Sequence, residues 1–246
     1  MRSMYRNQVN FSASGMQRFH ALAHKYYNVD DSAGYFLDLG ANIGTTGIYF
    51  IKKLAPNLKL LAFEPDPENF KMHRVNMILN DLDGVTDLVN CGLSNEAGEL
   101  MLYNNGTNTG ERGFIKHEQS EPIAAIKIMP LDAYLAEKNI AAQDVKYIWI
   151  DTEGFEAQVL LGAKNLLTEN PAPIFVEFNL GAWRKSGCFE EFFNLISTHY
   201  SHFILFGGGK ETLYTIDALQ TLTPPTSGLG RIGGDIFLIK AGSLVD

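Results

Sequence analysis

Two runs constrain this chain more than any other part of it: YFLDLGANIGTTG, from Tyr35 to Gly47, and LLAFEPD, from Leu60 to Asp66. The first opens on an apolar stretch, Tyr35 to Leu39, with the length of a buried parallel strand. Small residues then let the backbone turn sharply into a helix running from about Ile43 to Leu54. Gly40 and Gly44 lie in that turn, where a missing Cβ lets the main chain approach a ligand closely and presents backbone N–H groups at a helix N-terminus. A second strand, Lys59 to Phe63, delivers Glu64 to the carboxyl edge of the sheet, where its two oxygens can share two ribose hydroxyls. The acid follows the turn by roughly twenty residues, as a nucleoside site requires.

The spacing of the glycines selects among nucleosides. A dinucleotide fingerprint, G-x-G-x-x-G, needs its second glycine to make room for pyrophosphate, but Asn42 stands at that position and the glycines fall at 40, 44 and 47. S-adenosylmethionine carries no phosphate. Its amino-acid end calls for polar groups near the turn, and Asp38 and Asn42 supply an acceptor for the ammonium and a hydrogen-bonding amide. The residues therefore favour S-adenosylmethionine as cofactor over NAD, and an NAD-dependent oxidoreductase is the weaker enzymatic alternative.

At 246 residues the chain can bury one substantial core, so a single α/β domain is expected. With 28 acidic against 20 basic residues the net charge is -8, which opposes non-specific attraction to phosphates. Small substrates are favoured over DNA or RNA, with no nucleic acid expected and no oligomeric state implied. Cys91 and Cys188 are too few for a disulfide framework or a cysteine metal cluster, and a reducing cytoplasm is the simplest location. The first residues lack the apolar core of a signal peptide, and no run is long enough to cross a bilayer.

Residues 1–34 are expected to form a helical docking or lid segment, with Met16, Phe19, Leu22, Ala23 and Tyr26 at helical period. The remainder, 35–246, would form the α/β domain, with a β-hairpin and flap inserted around 98–130. A helix from Pro67 to Asn80 is expected to bury Phe70, Met72, Val75, Ile78 and Leu79. Strands follow at Val85–Leu93, at Gly98–Tyr103 paired antiparallel with Ala124–Met129, and then at Val145–Ile150, Ile174–Phe178, Phe203–Phe206 and Asp235–Lys240. Helices are expected at Leu131–Lys138, Phe155–Leu167 and Phe189–Tyr200. The stretch from Asn104 to Pro122 is too long for an ordinary turn and reads as an active-site flap or a surface excursion. This alternation predicts a mostly parallel sheet with right-handed crossovers.

A second informative run, IWIDTEGFE from Ile148 to Glu156, places Asp151, Glu153 and Glu156 at a strand end, the edge where open α/β sheets bind ligands. Glu177 and Asn179 end the next strand. A bland account has the acids complementing the positive end of a helix that starts near Gly154.

Taken together, DLGANIG (38–44), FEPDP (63–67), Asn76 to Asn80, and DTEGFE (151–156) with LLGA (160–163) resemble the FkbM family of S-adenosylmethionine-dependent methyltransferases, from about Tyr35 through Asn179. The resemblance implies a Rossmann-like class I fold: a seven-stranded, mostly parallel sheet with an antiparallel last strand and helices on both faces. It also implies methyl transfer to a hydroxyl of a small molecule, sugar or glycan, and carries Gly40, Asn42, Gly44 and Glu64 to cofactor binding, beside Asp38. Trp149 stands where the family often has a lysine.

Asp151, with Glu153 as the alternative, is the expected general base for the acceptor hydroxyl. A less favoured version has Asp151, Glu153, Glu177 and Asn179 hold Mg²⁺ or Ca²⁺, which would lower the hydroxyl's pKa. A reading of another class is a catalytically silent module that keeps the cleft. GLGRIG, from Gly228 to Gly233, precedes a strand instead of following one, and Gly207 to Lys210 lacks the remainder of a P-loop; both read as loops. His20 and His24 lack the adjacent glutamate of a zinc-hydrolase helix. His117 could close over the acceptor from the flap. Trp183, Phe189, Phe192 and Phe193 could line an apolar pocket, although such spacing usually marks core.

Overall fold

The computed structural model describes residues 13–106, 110, 112–207, 210–222 and 235–244. Helix α1 (Ala13–Tyr27) precedes β1 (Tyr35–Leu39), α2 (Thr45–Lys53), β2 (Lys59–Phe63), α3 (Pro67–Leu79) and β3 (Thr86–Val89). The chain then leaves the sheet for β4 (Gly92–Leu93), β5 (Gly98–Asn104), β6 (Arg112–Gly113) and β7 (Glu121–Met129). It returns through α4 (Leu131–Lys138), β8 (Val145–Ile150), α5 (Glu156–Leu161), α6 (Lys164–Glu169) and β9 (Ile174–Glu177). The last elements are α7 (Leu180–Lys185), α8 (Phe189–His199), β10 (Tyr200–Gly207), β11 (Lys210–Thr215), α9 (Ala218–Thr221) and β12 (Asp235–Lys240).

The main sheet has 8 strands in the order β11-β10-β12-β9-β8-β1-β2-β3. β3, β2, β1, β8 and β9 run parallel, while β12 is antiparallel to both β9 and β10, and β11 is antiparallel to β10. The expected antiparallel last strand is therefore present. The eighth strand, β11, is new: Gly207 and Lys210 face each other across the hairpin that joins it to β10, where the sequence was read only as a loop. The chain runs outward from β1 through β2 to β3 and later from β8 to β9 on the other side, so the strand order reverses between β1 and β8. Ligands enter open α/β sheets at that crevice.

Alternate side chains of the strands feed two cores, as period-2 geometry requires. Leu37, Leu39, Ile148, Ile150, Ile174 and Val176 pack beneath α4, α5, α6 and α8 on one face. Phe36, Leu60, Tyr147, Trp149, Phe175 and Phe237 pack beneath α1 and α2 on the other. Phe19 of α1 is fully buried at the centre of this second layer, with its ring centroid 5.6 Å from those of Tyr147 and Phe175. The Tyr27 hydroxyl donates to the Leu238 carbonyl at 2.6 Å and accepts from Lys240 N–H at 3.0 Å, fixing the end of α1 to β12. α1 is thus one of the layers that cover the sheet.

The structure corrects the expected facing of α3. Met72, Ile78 and Leu79 are 51%, 59% and 74% exposed and Val75 is exposed with them, whereas Asn69, His73 and Met77 are buried. Polar contacts turn the helix this way: the Asp66 carboxylate accepts from Glu68 and Asn69 N–H groups at 2.8 and 2.9 Å, and the Asn76 amide donates to Ile43 O at 2.8 Å. The capped N-terminus and the Asn76 bond to the β1–α2 turn fix which side of α3 faces the sheet.

Three other expectations change in detail. The strand expected at 85–93 divides into β3 and β4, which belong to different sheets. The helix expected at 155–167 divides into α5 and α6 at Gly162, where a Cβ would lie 2.1 Å from the Ser94 carbonyl oxygen; Asp132 of α4 then caps α6 through the Asn165 and Leu166 N–H groups. The insertion forms its own four-stranded sheet, β4-β7-β5-β6, with β5 and β7 antiparallel as expected and residues 112–113 of the flap folded as β6. The motif from Gly228 to Gly233, with Arg231, lies outside the described residues.

Candidate active site

At the carboxyl ends of β1, β2 and β8, a groove is lined by Asp38, Gly40, Ala41, Asn42, Glu64, Trp149, Asp151 and Glu153 from the sheet side. Arg112 and Gly113 of β6 and the following Phe114 line its other wall.

Backbone geometry sets the floor. Gly40 has φ +87, and a Cβ there would lie 1.9 Å from the Asp151 carbonyl oxygen. The close approach that demands glycine is thus between the β1 turn and the end of β8. Gly44 has φ +84, and a Cβ there would meet the His73 ring at 2.2 Å. Gly44 shapes the turn without lining the groove, and Asn42, itself left-handed at φ +49, lines it instead.

Glu64 lines the groove while only 5% exposed. Its Oε2 accepts from Asn42 N–H at 2.7 Å and its Oε1 from Asp66 N–H at 2.8 Å, and the Asn69 side chain bonds it as well. Burial nevertheless pushes its carboxyl up to about 7, against those hydrogen bonds. Asp38, also buried, accepts from Gly47 N–H at 3.0 Å, and burial pushes it to about 7 as well.

Asp151 follows β8 directly. Confinement in the groove raises its carboxyl above the usual range, and the neighbouring charges of Glu153, Glu156, Asp235 and Asp38 add to the shift. Its side chain keeps access to solvent through the groove mouth, which moderates the first cause and leaves the direction unchanged. Oxygens of Asp151, Glu153 and Glu177 lie within 4.8 Å of one another, a grouping suited to a hard divalent cation.

The loop carrying these acids is held from below. Glu156 is fully buried; its Oε1 accepts from Thr152 N–H, Thr152 Oγ1 and Gly154 N–H at 2.9–3.0 Å, and its Oε2 from Trp183 Nε1 at 2.8 Å. These bonds hold Glu153 and Gly154 at φ +54 and +97. Of the acids in DTEGFE, Glu156 is therefore the one that organises the loop, and Asp151 and Glu153 are the ones that face the groove.

The far wall was only partly legible in the sequence. Arg112 reaches from β6 to Asp66 with a 2.6 Å ion pair, which ties the inserted sheet to the start of α3. Phe114 meets Phe155 edge-on at 5.4 Å. Neither Arg112 nor Phe114 sits in a recognisable motif; their only signal is membership of the long polar stretch after β5. His117 is exposed and outside the groove lining. Trp183, Phe192 and Phe193 pack in the core and do not line the groove.

A family profile described as "Methyltransferase FkbM domain" matches residues 38–205. The chain belongs to the FkbM methyltransferase family. It is 32% identical over 152 residues to Methyltransferase 1 of Beauveria bassiana, covering 54% of this chain and 59% of that one. It is 28% identical over 149 residues to 2-O-methyltransferase NoeI of Sinorhizobium fredii, covering 54% and 58%. Among solved structures, methyltransferase FkbM of Methylobacillus flagellatus KT matches with a TM-score of 0.52 at 16% identity, over 91% of this chain and 50% of that one. The chain thus spans under two thirds of the length of each of these proteins. The likeness to the last is one of fold, Rossmann-like α/β with a mostly parallel sheet. Among the described residues no helix is long and apolar enough to cross a membrane.

Proposed function

We propose that this chain transfers the methyl group of S-adenosylmethionine to a hydroxyl of a small molecule, sugar or glycan. The observation that carries this reading is the acidic lining of the groove at the strand-order reversal, whose burial-raised carboxyls a bound cation would favour in their ionised forms. Asp38, Glu64, Asp151 and Glu153 all line it, and its lining guanidinium, Arg112, is paired with Asp66. Such a crevice favours a cationic sulfonium and ammonium over a pyrophosphate, and Asn42 occupies the place where a dinucleotide needs glycine.

When bound, S-adenosylmethionine supplies a methyl carbon activated by a sulfonium sulfur, which departs as a neutral thioether carrying the C–S electron pair. Glu64, with three hydrogen bonds received and about four acceptor positions on its oxygens, retains capacity for a ribose hydroxyl. Asp38 and Asn42 take the amino-acid end in this reading. Asp151 takes the acceptor's proton as the new O–C bond forms, and its raised pKa makes it a stronger base than an ordinary carboxylate. Glu153 beside it keeps that pKa high. Alignment of acceptor and methyl in the groove contributes the rest, as much as about 7–11 kcal/mol in favourable cases. The likeness to a 2-O-methyltransferase supports oxygen as the accepting atom.

The test is an acceptor panel with methyl-labelled donor, run on wild type and Asp151→Asn. Asp151→Asn is expected to lose about 10²–10⁴ in turnover while donor affinity stays within about threefold. Undiminished turnover removes Asp151 from the role. A second reading, a hard divalent cation held by Asp151, Glu153 and Glu177, rests on their convergence within 4.8 Å. Turnover that survives exhaustive chelation dismisses it. Donor binding without S-adenosylhomocysteine formation across the panel would point to a silent binding module.

A further inference from the structure

We propose that His20, His24 and Asp31 bind a borderline first-row divalent cation, zinc above all, at a site separate from the methyl-transfer groove. His20 and His24 project from successive turns of α1, and their Nε2 atoms lie 3.1 Å apart. Asp31, in the loop between α1 and β1, brings its Oδ2 to 2.8 Å from His20 Nε2 and 2.9 Å from His24 Nε2. The ligand that the sequence pattern lacked thus comes from seven residues beyond His24.

Protons serve this triangle poorly. If both rings donate from Nε2 to the carboxylate, two N–H groups face each other across 3.1 Å. If one ring donates to the other, a bare ring nitrogen faces a carboxylate oxygen at 2.8 or 2.9 Å. A cation satisfies all three atoms at once: a point about 2.05 Å from each, the usual zinc–ligand distance, lies about 1.1 Å off their plane. That leaves a coordination position for water, on a site whose His24 side chain is 41% exposed. Tyr147 donates to the other Asp31 oxygen, Oδ1, at 2.6 Å and so orients the carboxylate, as outer partners of metal ligands do.

Two imidazoles and one carboxylate select zinc, cobalt or nickel over magnesium or calcium. The all-oxygen cluster of Asp151, Glu153 and Glu177 has the opposite preference. The two places are also apart: none of His20, His24, Asp31 and Tyr147 lines the groove. Tyr147 sits on β8 four residues before Asp151, about 13 Å along an extended strand. An ion there clamps α1 and the Asp31 loop together over the first half of β8. Phe19 of the same helix packs against Trp149 at 5.9 Å, and Trp149 lines the groove, so the clamp supports the groove from behind.

The test uses tag-free, metal-free full chain titrated with Zn²⁺ by calorimetry and with Co²⁺ by visible absorption. Wild type is expected to bind one ion per chain, to show the ligand-field bands of low-coordinate Co²⁺, and to melt at a higher temperature with Zn²⁺ than without. His24→Ala, a change at a partly exposed position, and Asp31→Asn are each expected to weaken Zn²⁺ binding at least about tenfold and abolish the Co²⁺ bands. The double variant Asp151→Asn/Glu153→Gln is expected to bind Zn²⁺ within about threefold of wild type. No saturable Zn²⁺ binding by wild type at micromolar protein overturns the proposal. Binding that persists in His24→Ala and vanishes in the Asp151/Glu153 variant overturns it equally.

Discussion

Replacing Glu156 with Gln tests whether the active-site loop is held from below as described. The carboxylate receives four hydrogen bonds, three on Oε1 and one, from the Trp183 indole, on Oε2. A glutamine keeps one oxygen for the three donors of the loop but places its NH₂ against the Trp183 N–H, donor to donor. Orphaning a buried donor costs about 1–3 kcal/mol, and the remaining bonds lose charge assistance, so the total is about 3–4 kcal/mol. At about 2–4 °C per kcal/mol for a chain of this size, Tm should fall by about 6–16 °C. Chemical denaturation of Glu156→Gln, Trp183→Phe and the double variant gives the decisive comparison. Removing the indole N–H removes the conflict, so in the Trp183→Phe background the Glu156→Gln change should cost about 1–3 kcal/mol less than alone. A Glu156→Gln protein within about 0.5 kcal/mol of wild type, or strictly additive variants, refutes the reasoning.

Gly40→Ala should destabilise by about 2–4 kcal/mol, combining a left-handed alanine with a Cβ aimed at the Asp151 carbonyl, whereas Gly98→Ala, with open space around it, should stay within about 0.5 kcal/mol; equal effects in denaturation curves contradict the close approach at Gly40. Stability of the ligand-free protein should fall as pH rises from 5 to 8. Asp38 and Glu64 are raised by burial to about 7 from ordinary values of 3.8 and 4.5, so the folded state holds protons that the unfolded state has released. Each contributes on the order of a few kcal/mol, complete below about pH 4 and lost as pH passes about 7. Glu64→Gln should flatten this decline, and an unchanged slope counts against it.

Strand–turn–helix units with strong periodicity were readable because local pattern and tertiary role coincide. β1, α2 and β2, and later β8 with its acidic end, fall within a residue or two of the bounds that the apolar runs suggested. α3 was misread in facing because Asn76 bonds Ile43 of the neighbouring turn and Asn69 bonds Glu64, and a pattern of apolar residues carries no record of hydrogen-bond partners. α5 and α6 divide where Gly162 meets the Ser94 backbone, a neighbour 68 residues away that no local window contains. Arg112 was missed for the same reason, since it acts through Asp66, 46 residues away; Asp31 is close to His24 in sequence, but no local pattern shows that the loop after α1 folds back onto the two histidines.

Calorimetric titration of the full chain with S-adenosylmethionine and, separately, with NAD⁺ tests the acidic-groove account most directly. One S-adenosylmethionine per chain, with no saturable heat from NAD⁺, is the predicted result. Saturable binding of NAD⁺ with none of S-adenosylmethionine would contradict it.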